Sequence, residues 1–191
     1  MNLFTLFALV YDSLMTAIHR RQEGQLLEYL TPWQDKKVLD AGGGTGKLAS
    51  RMEKVGATVW ILDTSPQMLK RARRLLPAER CLLGDVASMP FDDETFDYVV
   101  AVDAFHHFRQ QQKMLQESQR VLSPGGTIAI LDFNRASHYV RALAWLERLA
   151  REPGLFLTPQ ELTTMLLNNG FTAVQTRYVG AHDYMITALK I

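Results

Sequence analysis

From Lys37 onward, short apolar runs alternate with longer segments whose apolar residues recur at helical spacing. Such alternation predicts repeated strand–helix units, and therefore a mostly parallel sheet in an α/β fold with helices on both faces. The expected strands are Lys37–Asp40, Thr58–Asp63, Arg80–Leu83, Phe96–Val102 and Thr127–Phe133. Between them, helical patterns cover Gly46–Val55, Pro66–Leu76 and Gln110–Leu122, and Ser123-Pro124-Gly125-Gly126 reads as a turn.

The end of the chain has a different rhythm. Thr158-Pro159-Gln160-Glu161 has an N-cap, a proline at the first helical position and an acidic first turn, so a helix is expected to about Asn169, stopped by Gly170. Phe171–Tyr178 and Asp183–Lys190 then read as two strands forming a closing antiparallel hairpin on the sheet edge.

Composition narrows the function without naming it. The 191 residues supply one substantial core and leave little room for a second domain. With 21 basic and 20 acidic side chains, a net charge of +1 gives no reason to expect a nucleic-acid partner. Cys81 is the only cysteine, which excludes an intramolecular disulfide and a cysteine-rich zinc site and suits a reducing cytoplasm. The apolar start, Leu3 to Tyr11, is too short to span a bilayer; it reads as a helix packed on the domain, with weak contact to a membrane surface as the secondary reading.

The candidate chemistry begins at Asp40-Ala41-Gly42-Gly43-Gly44-Thr45-Gly46, a strand end followed by glycines and a helix. Glycines there remove side chains from the path of a ligand, and the first helical amides face ligand oxygens. The loop alone is ambiguous, because Gly44-Thr45-Gly46-Lys47-Leu48-Ala49 also fits the looser dinucleotide fingerprint of a nicotinamide enzyme. A phosphate-binding loop fits worse, since Leu48 stands where the Mg²⁺-binding hydroxyl belongs.

Two further acids bear on the choice. Asp63 closes the second strand, where an acid that holds ribose hydroxyls belongs, although it could instead cap the next helix, a role also open to Thr64 or Ser65. Asp85 follows the third strand, where its carboxylate can take an adenine amine while the Val86 amide serves a ring nitrogen; a simple turn-forming role is the alternative.

In order and spacing, these pieces resemble class I S-adenosylmethionine-dependent methyltransferases, in the branch of the ubiquinone/menaquinone-biosynthesis enzymes and their small-molecule relatives. The matching segments are Val38 to Gly46, Asp63 with Met68, Gly84-Asp85-Val86 with Pro90-Phe91, and Phe96 to Val100. They continue with Phe105-His106-His107-Phe108 and Arg120 to Gly126.

The resemblance implies a Rossmann-like seven-stranded sheet with an antiparallel last strand, and S-adenosylmethionine lying across the carboxyl ends of the first strands. It assigns Asp40, Gly42, Gly43, Gly44 and Gly46 to the methionine end, Asp63 and Thr64 to the ribose side, and Asp85 and Val86 to adenine. Met68 is expected to pack on the adenine face and Ala101 to offer a carbonyl near the amino group. No metal is required. His106 and His107 fall just after the fourth strand, where one of them is placed to deprotonate an acceptor, and Tyr11 and, at lower rank, Asp103 and Tyr139 are further pocket candidates.

The expected organisation is a single domain. It comprises an N-terminal helical lid over 1–34, a cofactor-binding core over 35–133, a substrate-side insertion over 134–157, and the terminal helix and hairpin over 158–191. The expected reaction is methyl transfer to a small, hydrophobic or aromatic acceptor. The insertion is shorter than a quinone-biosynthesis enzyme should carry, which argues against a quinone. A nicotinamide-dependent oxidoreductase and a non-catalytic S-adenosylmethionine-binding sensor or partner subunit are the competing readings, and the oligomeric state is left open.

Overall fold

The computed structural model describes residues 21–138, 140–141 and 154–191. Tyr11, Tyr139, most of the expected N-terminal lid and much of the expected substrate-side insertion lie outside the described residues.

Seven strands form one sheet: β1 Lys37–Ala41, β2 Thr58–Asp63, β3 Cys81–Leu83, β4 Phe96–Val102, β5 Leu122–Phe133, β6 Phe171–Tyr178 and β7 Asp183–Lys190. Their order is β3-β2-β1-β4-β5-β7-β6. The pairings from β3 across to β5 are parallel, whereas β7 runs antiparallel to both β5 and β6. The expected hairpin is therefore present at the edge, with its second strand inserted inside its first.

The helices are α1 Lys47–Lys54, α2 Pro66–Ala72, α3 Gln111–Val121 and α4 Pro159–Asn168, and residues 21–29 are also helical. Neighbouring strand residues point to opposite faces, and here both faces are apolar. Leu39, Leu62, Val99 and Ile130 join a core with Met114, Leu115, Leu162 and Leu166 from α3 and α4. Val38, Ile61, Val100 and Leu131 join another core with Leu26, Ala49, Met52 and Leu69 from the 21–29 helix, α1 and α2. Helices thus cover both sides of the sheet.

Two local expectations change. The helix after Ser65 stops at Ala72 instead of Leu76, because Pro77 bars its preceding residue from helical backbone and the chain tightens into turns. The Pro124-Gly125-Gly126 signal does not precede β5 but lies within it. Phe96 pairs with Leu122 and Tyr98 with Thr127, so residues 123–126 form a bulge, with Gly125 at φ 77°.

The cap of α4 is as its sequence dictates. Thr158 Oγ1 accepts from Glu161 N at 3.3 Å, and Thr158 N donates to Glu161 Oε2 at 2.8 Å. Thr158→Ala is expected to remove about 1 kcal/mol of stability. A urea midpoint shifted down with an unchanged slope is the expected signature; an unmoved midpoint would show that the cap contributes nothing.

Candidate functional site

Strand order reverses direction between β1 and β4, the place in an open α/β sheet where a crevice opens at the carboxyl ends of strands. A cavity of about 720 Å³ lies there. Its wall takes Gly42 and Gly44 from the turn after β1, Asp63 and Thr64 from the end of β2, and Asp85 and Val86 from the turn after β3. Met68 of α2 and Asp103 and His107 after β4 complete it. A second cavity of about 330 Å³ shares Gly42, Gly44, Met68 and Asp103 and runs past Gly43 to Asp40 and Glu23.

The glycine turn is built by close approach. A Cβ at Gly43 would stand 2.7 Å from the Asp40 carboxyl, so only glycine leaves that carboxyl in place. Gly46 has a different task. It caps α1 at φ 75°, and a Cβ there would press on Leu76, Ala72 and Ile61 at 3.0–3.1 Å, so it lets α1 and α2 pack closely. Gly46 therefore faces the core, not either cavity.

Asp63 ties the turn to β2. Its Oδ2 accepts from Gly44 N at 2.9 Å and its Oδ1 from Ser65 N at 2.8 Å. The helix cap belongs to Ser65, whose Oγ accepts from Met68 N at 3.3 Å, so Asp63 is not held at the site by capping α2. Each Asp63 oxygen retains a lone pair. Asp85 uses Oδ1 to accept from Ala87 N at 2.9 Å, which satisfies the turn reading, yet it is exposed at the cavity wall. Nearby, Arg120 of α3 donates to the carbonyls of Phe91 and Met89 at 2.7 and 3.0 Å, while Glu117 accepts from Met89 N at 2.7 Å. This ion-paired clamp ties the Pro90-Phe91 turn to α3.

Asp40 is buried, and its Oδ2 has no hydrogen-bond partner. Burial is the main cause that pushes its carboxyl up to about 7, and the charges of Glu23 and Asp63 add to it. Ala101 is also buried, one residue inside the strand end; Val102 and Asp103 form the cavity wall beside it. Asp103 holds left-handed backbone at φ 51° as the chain leaves β4.

The two histidines occupy one 3₁₀ turn, Phe105–His107, but different surroundings. His107 is exposed at the larger cavity, whereas His106 is buried. His106 Nδ1 lies 2.7 Å from Asp132 Oδ1, and its backbone N donates to Oδ2 at 2.9 Å. Phe133 N also donates to Oδ1 at 2.7 Å. A carboxylate only accepts, so this network places a ring proton on Nδ1. The ring stacks on Phe156 at 4.3 Å and 16°, with His107 4.0 Å away on centroids. Leu155 N fastens this cover by donating to His106 O at 2.7 Å.

Ligand-type atoms of Asp103, His106 and Asp132 lie within 4.8 Å of one another. Within this group Asp132 commits both oxygens to N–H donors of His106 and Phe133. Asp132, Glu23 and Phe156 were not among the residues expected from sequence. Asp132 is hidden in an apolar strand and Glu23 in a helix far upstream, so neither carried a local motif.

Comparison with known proteins agrees with this arrangement. Residues 39–130 match the methyltransferase domain family. An uncharacterized methyltransferase of Mycobacterium bovis is 32% identical over 161 residues, covering 84% of this chain and 64% of the relative. The ubiquinone/menaquinone biosynthesis C-methyltransferase UbiE of a Ruegeria species is 31% identical over 137 residues, covering 68% of this chain and 55% of the relative. The chain thus spans less than two thirds of the length of these relatives.

Among solved structures, the methyltransferase complexed with the Trm112 methyltransferase activator of Haloferax volcanii has a TM-score of 0.81 at 19% identity, over 98% of this chain and 95% of that one. An S-adenosylmethionine-dependent methyltransferase of Mesorhizobium loti has a TM-score of 0.75 at 18% identity, over 88% and 97%. Taken with the strand order, these matches give the chain a methyltransferase domain over residues 39–130, on the fold shared by solved S-adenosylmethionine-dependent methyltransferases.

Proposed function

We propose that the protein transfers a methyl group from S-adenosylmethionine to a small-molecule acceptor. The observation that carries this reading against a dinucleotide is the Asp40 carboxyl, buried beside the glycine turn with Oδ2 unpartnered. A pyrophosphate placed on that turn would meet an acid and be repelled, whereas the ammonium of a methionine end satisfies it. Gly42, Gly43 and Gly44 then line the amino-acid end, Asp63 and Thr64 the ribose, and Asp85, Val86 and Met68 the adenine.

When bound, S-adenosylmethionine supplies a methyl group activated by its sulfonium. The chain's own work is to align the acceptor and exclude water. For a hydroxyl or an acidic carbon, His107, which borders the larger cavity, is the base that receives the acceptor's proton. His106 lies buried beside it, held by Asp132, and supports the turn that presents His107. Among the described residues of the expected substrate-side insertion, Phe156 stacks on His106 next to the cavity-lining His107, an apolar setting that suits an apolar or aromatic acceptor. Among the described residues no helix is long and apolar enough to cross a membrane.

Thermal-shift and calorimetric titrations test the proposal. S-adenosylhomocysteine at 100 times its Kd should stabilise the fold by about 2.7 kcal/mol, while NADH should do nothing. Stabilisation by NADH with none by S-adenosylhomocysteine would make the protein an oxidoreductase instead. Binding without methyl incorporation into any component of a metabolite extract would favour the sensor reading.

A further inference from the structure

We propose that Glu23, from the N-terminal helix, and Asp40, from the end of β1, together form a two-carboxylate receptor for the ammonium group of the cofactor's amino-acid end. This rests on the methyltransferase reading above and adds to it a residue outside the family's strand-end motifs.

Three observations carry it. Glu23 and Asp40 line the same 330 Å³ cavity, which continues past the glycine turn from the larger one. Asp40 Oδ2 is buried there without a hydrogen-bond partner, a state that costs free energy until a donor arrives. Glu23 is held toward the cavity by an ion pair with Arg51 of α1, with Oε2 and Nη1 2.6 Å apart. That pair leaves Glu23 with a second oxygen and further lone pairs. A compact cation carrying several N–H donors bonds both acids at once and compensates their charge; a neutral donor would leave that charge uncompensated, and an anion would be repelled.

The charges around Asp40 agree on sign. Glu23 faces it from the 21–29 helix, Asp63 from β2 and Asp103 from the end of β4, with Lys47 at the cavity rim and Arg51 beyond Glu23. Burial and the acids Glu23 and Asp63 hold part of the Asp40 population protonated near pH 7. An arriving ammonium reverses that balance, so its binding drives a proton off Asp40. The N-terminal helix thereby becomes a reader of the amino-acid end.

The test compares S-adenosylhomocysteine with 5′-methylthioadenosine, which keeps the adenosine and thioether but lacks the amino-acid end. In the full chain, Glu23→Gln is expected to weaken S-adenosylhomocysteine about tenfold and to leave 5′-methylthioadenosine within about twofold, tenfold being 1.4 kcal/mol. Calorimetry of the unsubstituted protein at pH 6.5 in buffers of different ionisation enthalpy supplies an independent readout. It should show net proton release with S-adenosylhomocysteine and none with 5′-methylthioadenosine.

Undiminished S-adenosylhomocysteine affinity in Glu23→Gln, equal weakening of both ligands, or equal proton release by both would overturn the receptor while leaving the methyltransferase reading intact. Failure of the unsubstituted protein to bind either ligand would overturn both.

Discussion

Replacing Asp132 by alanine is expected to lower folding stability by about 3 kcal/mol or more, the largest single-residue loss anticipated within the candidate site. Its carboxylate receives His106 N, His106 Nδ1 and Phe133 N, all within 2.9 Å and all buried. Alanine leaves those donors in the interior with nothing to bond, and each orphaned group costs about 1–3 kcal/mol. Water has poor access, because Phe156 covers the imidazole and the Leu155 backbone is fastened across it.

Asp132→Asn separates fold from function. An amide retains one accepting oxygen, enough for His106 Nδ1 and Phe133 N on the Oδ1 side, but it points an N–H₂ at the His106 backbone donor on the other. Its stability loss should be smaller, about 1–2 kcal/mol, while the imidazole keeps an acceptor for Nδ1 but loses the negative charge beside it. Urea unfolding of both variants checks the ordering. A loss below about 1 kcal/mol for alanine would mean that the network is already hydrated and does not hold His106.

That network also marks where sequence reading runs out. The strands β2, β4, β6 and β7 appear at the bounds their apolar runs suggest, because alternation along a strand is a local property. The Ser65 and Thr158 caps are equally local, each set within a few residues of its helix. His106 and His107, by contrast, are adjacent in sequence and identical in type, and only the tight 3₁₀ turn sends one inside and the other to the cavity. The partner that gives His106 its character lies 26 residues away in β5, and sequence carries no sign of that distance. Gly46 illustrates a subtler difference. Its motif position suggested ligand contact, but the space it vacates is filled by Leu76, Ala72 and Ile61. A glycine motif specifies where side chains are absent without saying which neighbour needs the room.

Asp63→Ala is expected to weaken S-adenosylhomocysteine at least about 100-fold, which corresponds to about 2.8 kcal/mol. Two losses combine. In the ligand-binding reading, the carboxylate accepts ribose hydroxyls, and hydrogen bonds to a charged group contribute about 1.5–3 kcal/mol each. In the protein itself, Asp63 already holds Gly44 N and Ser65 N on its two separate oxygens, so its removal also loosens the glycine turn that shapes the site. Asp63→Asn discriminates poorly between these effects, since one amide oxygen cannot serve donors on both sides. Ligand choice discriminates better. Adenine alone uses neither the ribose contact nor the glycine turn, and its weak binding should change little in Asp63→Ala. S-adenosylhomocysteine and 5′-methylthioadenosine, which both carry the ribose, should both lose affinity, unlike their divergence in Glu23→Gln. Calorimetry with all three ligands reads the pattern directly; retained S-adenosylhomocysteine affinity in a folded Asp63→Ala protein would remove Asp63 from the site and reduce it to a tie between β2 and the turn.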